Sequence, residues 1–278
     1  MIDGQTKLFG IIGKPVTHSM SPAMHNGAFA HLGINGVYVP MEPGNLEQGF
    51  YGLQALGFIG VSVTVPFKVE IMAYLDRIDP VAQKIGAVNT LHFDRSHPEK
   101  VICTGYNTDW MGSNQALADE MTLQGSRVLV LGAGGAARAV GFGLIEAGAE
   151  VIITNRTVSK GEDLANQLGC AFLPVEELAT LEADALVNTT SVGMHPNEHG
   201  IPIQENLLEK FAVVMDIVYA PLQTRLLREA AARGCRTVDG LKMLQYQGAA
   251  QFTLWTDVPA PNATMREALL GELQARSL

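Results

Sequence analysis

The sequence predicts an α/β protein built on open, largely parallel sheets. Two observations predict it. Between Leu8 and Leu75, short β-branched runs alternate with apolar stripes at helical spacing in the order β, α, β, α, β, α. After Gly125 the alternation starts afresh around a glycine-rich turn between an apolar strand and a helix. At 278 residues, 47% of them hydrophobic, the chain can form one large domain or two modest ones.

Composition narrows the setting. A net charge of −9 argues against a nucleic-acid partner and requires any anionic ligand to be met by a few local cations and backbone donors. No apolar run approaches the ~20 residues of a membrane span, and MIDGQTKLFG lacks the basic-then-apolar pattern of a signal peptide. A cytoplasmic protein with no membrane partner is expected. Cys103, Cys170 and Cys235 are scattered and outside zinc or redox spacings, as expected of reduced structural thiols, and no metal is expected.

Leu8 to Ile12 is the first strand, ended by Gly13. Ser21 before Pro22 reads as a helix N-cap; Met24, Ala28 and Leu32 form one stripe, and Gly33 stops the helix. The hydroxyls of Ser19 and Ser21 then lie at a positive helix end, which suits a carboxylate or phosphate; local sequence equally allows a plain cap. His18 and His25 lack neighbours that would complete a metal site. Val37 to Met41 reads as a strand and Leu46 to Leu56 as an amphipathic helix.

The stretch VTVPFK comes next. Val61, Val63 and Val65, with Ser62 and Thr64 on the opposite parity, read as a strand ending at Pro66. Pro66 then opens a helix carrying Phe67, Ile71 and Leu75, which puts Lys68 in its first turn, at the carboxyl end of a strand, where α/β proteins build sites. Positive potential at a helix start disfavours an ammonium without a carboxylate partner, while local sequence alone also reads Lys68 as a solvated surface lysine. Ala87 to Phe93 reads as another strand, whose Asn89 and Thr90 must find partners in backbone or ligand. DRSHPEK reads as a hairpin turn. Asp109 begins a helix, Trp110 to Met121, where a carboxylate is usually a cap and gains interest only by meeting Lys68.

The strand Arg127 to Leu131 runs into Gly132, Ala133, Gly134, Gly135, Ala136 and Ala137; a helix follows to Gly148, and Glu150 to Thr154 closes a βαβ unit. The glycines permit a tight turn and close approach of a pyrophosphate to the positive helix end. About 20 residues on, an acid would hold the ribose 2′-hydroxyl of NAD. This chain has Asn155, Arg156 and Thr157 there, with Lys160 one turn later. A planar cation and neutral donors suit a 2′-phosphate, so NADP is favoured over NAD.

A helix follows (Ser159 to Leu168), then strands Ala183 to Asn188 and Val213 to Ile217. Their terminal loops, with Thr190, Ser191 and Ile217, fall on the side where the dinucleotide lies. His195 and His199 lack a third ligand and read as a solvated loop. Asp239 to Trp255 reads as a helix with Leu241, Leu244, Ala249 and Phe252 inward, returning to the first domain.

In order, the blocks HSMSPAMHN, VTVPFK, GAVNT, GYNTD, GAGGAA, NRT, NTTSVGM, YAPLQT and DGLKMLQYQG are spread along the chain, and with them it resembles the shikimate dehydrogenases across essentially its full length. The resemblance implies a substrate-binding domain (residues 1–108 and 240–278), a Rossmann-type NADP domain (109–239) and a C-terminal helical return. It implies reversible oxidation of shikimate to 3-dehydroshikimate, with NADPH reduction the biosynthetic direction, by a monomer or homodimer. It assigns Lys68 and Asp109 as the catalytic pair and Ser19 and Ser21 to the substrate carboxylate, enclosed with the help of Thr64 and Tyr219. Asn89 and Gln247 go to the ring hydroxyls, and Gly240 joins the cofactor residues.

One position departs. Relatives usually carry asparagine two residues before the motif threonine, where this chain has the shorter Ser62, on the same parity as Thr64. Two rivals follow: a quinate/shikimate dehydrogenase of broader substrate or NAD use, and a non-catalytic NADP- or shikimate-sensing protein. Arg156 argues against NAD. Retention of Lys68 and Asp109, without a basic patch, argues against the sensor.

Overall fold

A computed structural model of the chain describes residues 2–96 and 100–276. Two compact units emerge, Met1–Thr108 with Gln247–Leu278, and Asp109–Tyr246. In the first, β1 (Lys7–Ile12), α1 (Ser21–His31), β2 (Gly36–Met41), α2 (Leu46–Ala55) and β3 (Phe58–Val63) lead to a 3-10 helix, Glu70–Tyr74. Then come β4 (Arg77–Ile78), α3 (Pro80–Ile85), β5 (Thr90–Asp94) and β6 (Ile102–Tyr106). The sheet order is β2-β1-β3-β5-β6-β4. β1 pairs in parallel with β2 and β3, and β4 with β6, whereas β5 runs antiparallel to both its neighbours. The core of this unit includes Ile12, Phe50, Val61, Val63, Ile71 and Leu91.

The second unit opens with α4 (Asp109–Ala118), β7 (Arg127–Leu131), α5 (Gly135–Glu146), β8 (Glu150–Thr154), α6 (Val158–Leu168) and β9 (Ala171–Phe172). β10 (Ala185–Asn188), β11 (Val213–Asp216), α7 (Arg225–Ala232) and β12 (Arg236–Val238) follow. All strands are parallel in the order β12-β11-β10-β7-β8-β9, the doubly wound arrangement whose order reverses beside β7. Helices on both faces explain the unbroken apolar strands: Val128, Val130 and Val187 face one core, Leu129, Leu131 and Leu186 the other.

Two helices end the chain, α8 (Gly240–Thr256) and α9 (Asn262–Arg276). The boundary between units falls inside α8: Met243 and Tyr246 pack on the second unit's core, whereas Trp255 packs on Phe9 and Phe252 on Phe29. Gly60 in β3 is required by this packing, since a Cβ there would lie 2.4 Å from the Trp255 ring.

Several expectations need correction. Pro66 opens no α-helix. The Phe67 N–H returns to the Thr64 carbonyl at 3.0 Å, so Lys68 lies in a run of turns that tightens into the 3-10 helix Glu70–Tyr74. β3 ends at Val63, and Val65 lies outside it, largely exposed. The strand expected from Ala87 begins at Thr90, because Val88 gives its N–H to the Lys68 carbonyl instead. Ser21 is the first helical residue rather than the cap; Met20 holds the cap position, and Ser19 Oγ accepts the Ser21 N–H at 3.3 Å. Leu32 falls outside α1 and is partly exposed. The turn expected over DRSHPEK lies in part outside the described residues.

Candidate active site

In the first unit the parallel strands β1 and β3 deliver their carboxyl ends side by side. The Thr64 N–H donates to the Ile12 carbonyl at 2.9 Å and the Lys14 N–H to the Val65 carbonyl at 3.0 Å. A Cβ on Gly13 would sit 2.3 Å from Thr64 Cγ2, so glycine is demanded by the close approach. Ser19 and Ser21 follow at the start of α1, and Arg276 of α9 pins their loop by donating to the His18 carbonyl at 2.6 Å and the Ser19 carbonyl at 3.0 Å. Lys68 is held through its backbone, its carbonyl accepting from Val88 at 2.8 Å.

Asn89 follows Val88 and is buried. Its Oδ1 accepts from Thr90 Oγ1 at 2.6 Å and the Thr108 N–H at 2.8 Å, while Nδ2 donates to Thr108 Oγ1 at 3.0 Å and Gln247 Oε1 at 3.4 Å. Two residues far apart in sequence, Asn89 and Gln247, thus meet. Ser62 does not share the exposure of Thr64: it is buried, accepting from Tyr38 and donating to Gln251. Burial pushes the Tyr38 phenol up, against the Ser62 and Ser21 hydroxyls that favour its charged form. His25 stacks on Tyr38 at 4.4 Å, and burial holds its imidazole down to about 3.

In the second unit, β7 runs into Gly132, whose φ of +115 and close contact with Thr189 Oγ1, 2.7 Å from any added Cβ, require glycine. Ala133 follows. At Gly134 and Gly135 an added Cβ would meet nothing within 4 Å, and α5 starts there, at Gly135 before Ala136, with no side-chain cap. An open cradle over uncapped helix N–H groups fits a pyrophosphate. At the end of β8, the Asn155 amide donates to the Thr157 carbonyl at 2.8 Å, and Arg156, Thr157 and Lys160 are exposed. None of residues 155–160 carries a carboxylate, which fits a 2′-phosphate.

The loops after β10 and β11 carry Thr190, Ser191, Ile217 and Tyr219. Asn188 Oδ1 accepts from the Thr190 N–H at 3.0 Å and hydroxyl at 2.7 Å, and Asn188 Nδ2 donates to Asp216 Oδ1 at 2.9 Å. Gly240 is buried, with Ile217 O only 2.3 Å from the place of a Cβ, so the start of α8 rests on the β11 loop. Asp109 is the first residue of α4 and of this unit.

Sequence reading missed Tyr38, Gln251, Thr108 and Asp216. Gln251 offered one signal, a polar residue four positions after Gln247 on a helix of otherwise apolar inward positions. Among the described residues, no group of three or more His, Cys, Asp or Glu could hold a metal ion, and no helix is long and apolar enough to cross a membrane. All three cysteines are free thiols.

A doubly wound parallel sheet with a glycine turn at the switch of strand order defines a Rossmann-type dinucleotide-binding unit. Residues 11–91 match the shikimate dehydrogenase substrate binding domain, residues 115–198 the shikimate / quinate 5-dehydrogenase model, and residues 240–270 the shikimate 5'-dehydrogenase C-terminal domain. A shikimate dehydrogenase (NADP(+)) of Methanosarcina acetivorans is 45% identical over 97% of this chain and 99% of its own. A crystal structure of a shikimate dehydrogenase in complex with NADP+ superposes with a TM-score of 0.92 at 42% identity, covering 98% of each chain. The Thermus thermophilus enzyme in complex with NADP(H) and shikimate gives 0.88 at 40% identity, covering 95% of this chain and 99% of its own. The chain belongs to the shikimate dehydrogenase family.

Proposed function

We infer that the protein is an NADP-dependent shikimate dehydrogenase, which oxidises shikimate reversibly to 3-dehydroshikimate and works biosynthetically, toward chorismate and the aromatic amino acids, as the NADPH-driven reductase. The observation that carries this reading is full-length similarity to enzymes of that name together with VTVPFK and GYNTD intact. The first unit is the substrate domain and the second the NADP domain; the protein acts in the cytoplasm as a monomer or homodimer.

The residues that would hold NADP are Gly132 to Ala136 at the pyrophosphate, Asn155, Arg156, Thr157 and Lys160 at the 2′-phosphate, and Thr190, Ser191, Ile217 and Gly240 along the strand ends. When bound, NADP+ supplies the hydride acceptor. Ser19 and Ser21 donate to the substrate carboxylate, and Thr64 and Tyr219 help enclose it. Asn89 and Gln247 hold ring hydroxyls. Lys68 exchanges the proton of the reacting hydroxyl and stabilises alkoxide character on its oxygen, with Asp109 orienting the ammonium.

Initial rates of nicotinamide reduction, with shikimate or quinate crossed against NADP or NAD, test this. Strong preference for shikimate with NADP is expected. Comparable quinate or NAD turnover would place the protein among the broader dehydrogenases, and no turnover would overturn the enzymatic reading.

A further inference from the structure

A buried line of hydrogen bonds runs through the first unit from Tyr38 to Asn89, and backbone groups fix its direction. Gln251 Nε2 faces the Asn89 carbonyl at 3.1 Å; a carbonyl only accepts, so that side of the amide is NH2 and the other is oxygen. Gln251 Oε1 therefore accepts, and Ser62 Oγ supplies the proton at 2.8 Å. With its proton spent, Ser62 accepts from the Tyr38 hydroxyl at 2.6 Å. On the other side Gln251 Nε2 also donates to Thr90 Oγ1 at 2.8 Å, so Thr90 passes its own proton to Asn89 Oδ1 at 2.6 Å. The Thr108 N–H, which only donates, reaches the same Oδ1 at 2.8 Å. Constraints imposed from opposite ends agree.

The members are sealed from solvent, with exposures of 1% for Tyr38, 5% for Ser62, 1% for Gln251, 0% for Thr90 and 2% for Asn89. Water offers no replacement partner, and reversing one link would set two like groups face to face. The Asn89 amide is therefore locked with its oxygen on Thr90 and Thr108 and its Nδ2 toward Thr108 Oγ1 and Gln247 Oε1. Gln247, accepting on Oε1, carries on its other side an NH2 that can only donate.

We propose that Thr90 and Gln251 are positioning residues for substrate: acting through Asn89, they hold its amide so that Nδ2 faces Gln247 Oε1 and the Gln247 NH2 is turned, as a donor, toward an oxygen of the substrate ring. This rests on the functional reading above, in which those two amides bind the ring hydroxyls. A reversed Asn89 would set its oxygen against Gln247 Oε1, so the Gln247 amide would have to turn over and offer the substrate an acceptor in place of a donor. The departure at Ser62 takes its place in the same chain. Its hydroxyl is a link between Tyr38 and Gln251, and a short side chain is what the link needs.

The test separates hydroxyl from shape at Thr90. Thr90→Val keeps the β-branched volume and loses the proton donor, whereas Thr90→Ser keeps the donor and loses a methyl. In the full-length protein with shikimate and NADP, Thr90→Val is expected to raise KM for shikimate about tenfold and leave KM for NADP within about twofold; Thr90→Ser restores the wild-type KM. Gln251→Met, which breaks the chain one link further out, should raise the same KM. Leu53→Ala, in the same unit's core and outside the chain, sets the effect of lowered stability alone. Equal KM in the Val and Ser variants, a parallel rise for NADP, or an effect matched by Leu53→Ala at equal thermal midpoint overturns the proposal. Were the wild type itself inactive on shikimate, the functional reading would fall and this inference with it; the wild-type rate, measured first, tells the two failures apart.

Discussion

The Thr224 hydroxyl donates to Asp216 Oδ2 at 2.7 Å, while the other oxygen of the same carboxylate accepts from the Val218 N–H at 3.1 Å and from Asn188 Nδ2 at 2.9 Å. One buried side chain thus closes the loop bearing Ile217 and Tyr219 and ties it to the loop bearing Thr190 and Ser191. Burial pushes the Asp216 carboxyl up to about 6 in spite of these donors.

A pH signature follows. Between its ordinary value of 3.8 and about 6, the folded state keeps a proton that the unfolded state has lost. The group's contribution to stability is therefore present below that window, falls as pH rises through it, and stays lost above it. The amplitude is at most about 3 kcal/mol. Asp216→Asn can keep the geometry, accepting on one side and donating to Thr224 on the other, but does not titrate. Thermal midpoints of both proteins from pH 4 to 7 should show the wild type losing ground to the variant as pH rises. A constant difference would show that Asp216 does not titrate in this range.

Arg156 is the exposed planar cation at the end of β8. Arg156→Ala should raise KM for NADP about tenfold or more and leave KM for NAD nearly unchanged, because only NADP carries the phosphate that a guanidinium grips. Parallel changes for both cofactors would contradict the assignment.

Gly240 allows no side chain, since a Cβ would meet the Ile217 carbonyl at 2.3 Å, and backbone cannot swing aside as a flexible side chain could. Gly240→Ala should cost about 1–3 kcal/mol in denaturant unfolding and weaken NADP binding through the displaced β11 loop. Wild-type stability and cofactor affinity in that variant would show that the contact is not tight.

Much of this was legible in the sequence where one physical signal dominated. β7 and β8 stand at their expected bounds, because a strand buried on both faces writes an unbroken apolar run and the glycines punctuate it. The segment after Pro66 was misread for an equally physical reason. Phe67 and Ile71 are both buried, and the Ile71 N–H does reach the Phe67 carbonyl at 2.9 Å, so the helical spacing is real. Spacing of side chains does not distinguish an α-helix from turns that tighten into a 3-10 helix. The insertion of β5 antiparallel between β3 and β6 is a pairing of distant segments with no local trace. The same holds for the line from Tyr38 to Asn89: its links join residues up to 189 positions apart, and each polar residue alone reads as an interruption of an apolar run.

The most direct test of the account is Lys68→Ala, with turnover of shikimate and NADP set beside equilibrium binding of shikimate. A proton-exchanging group is expected to show a fall in kcat of about a hundredfold or more, with shikimate affinity changed far less. Unchanged turnover with only a raised KM would make Lys68 a binding residue and contradict the catalytic assignment.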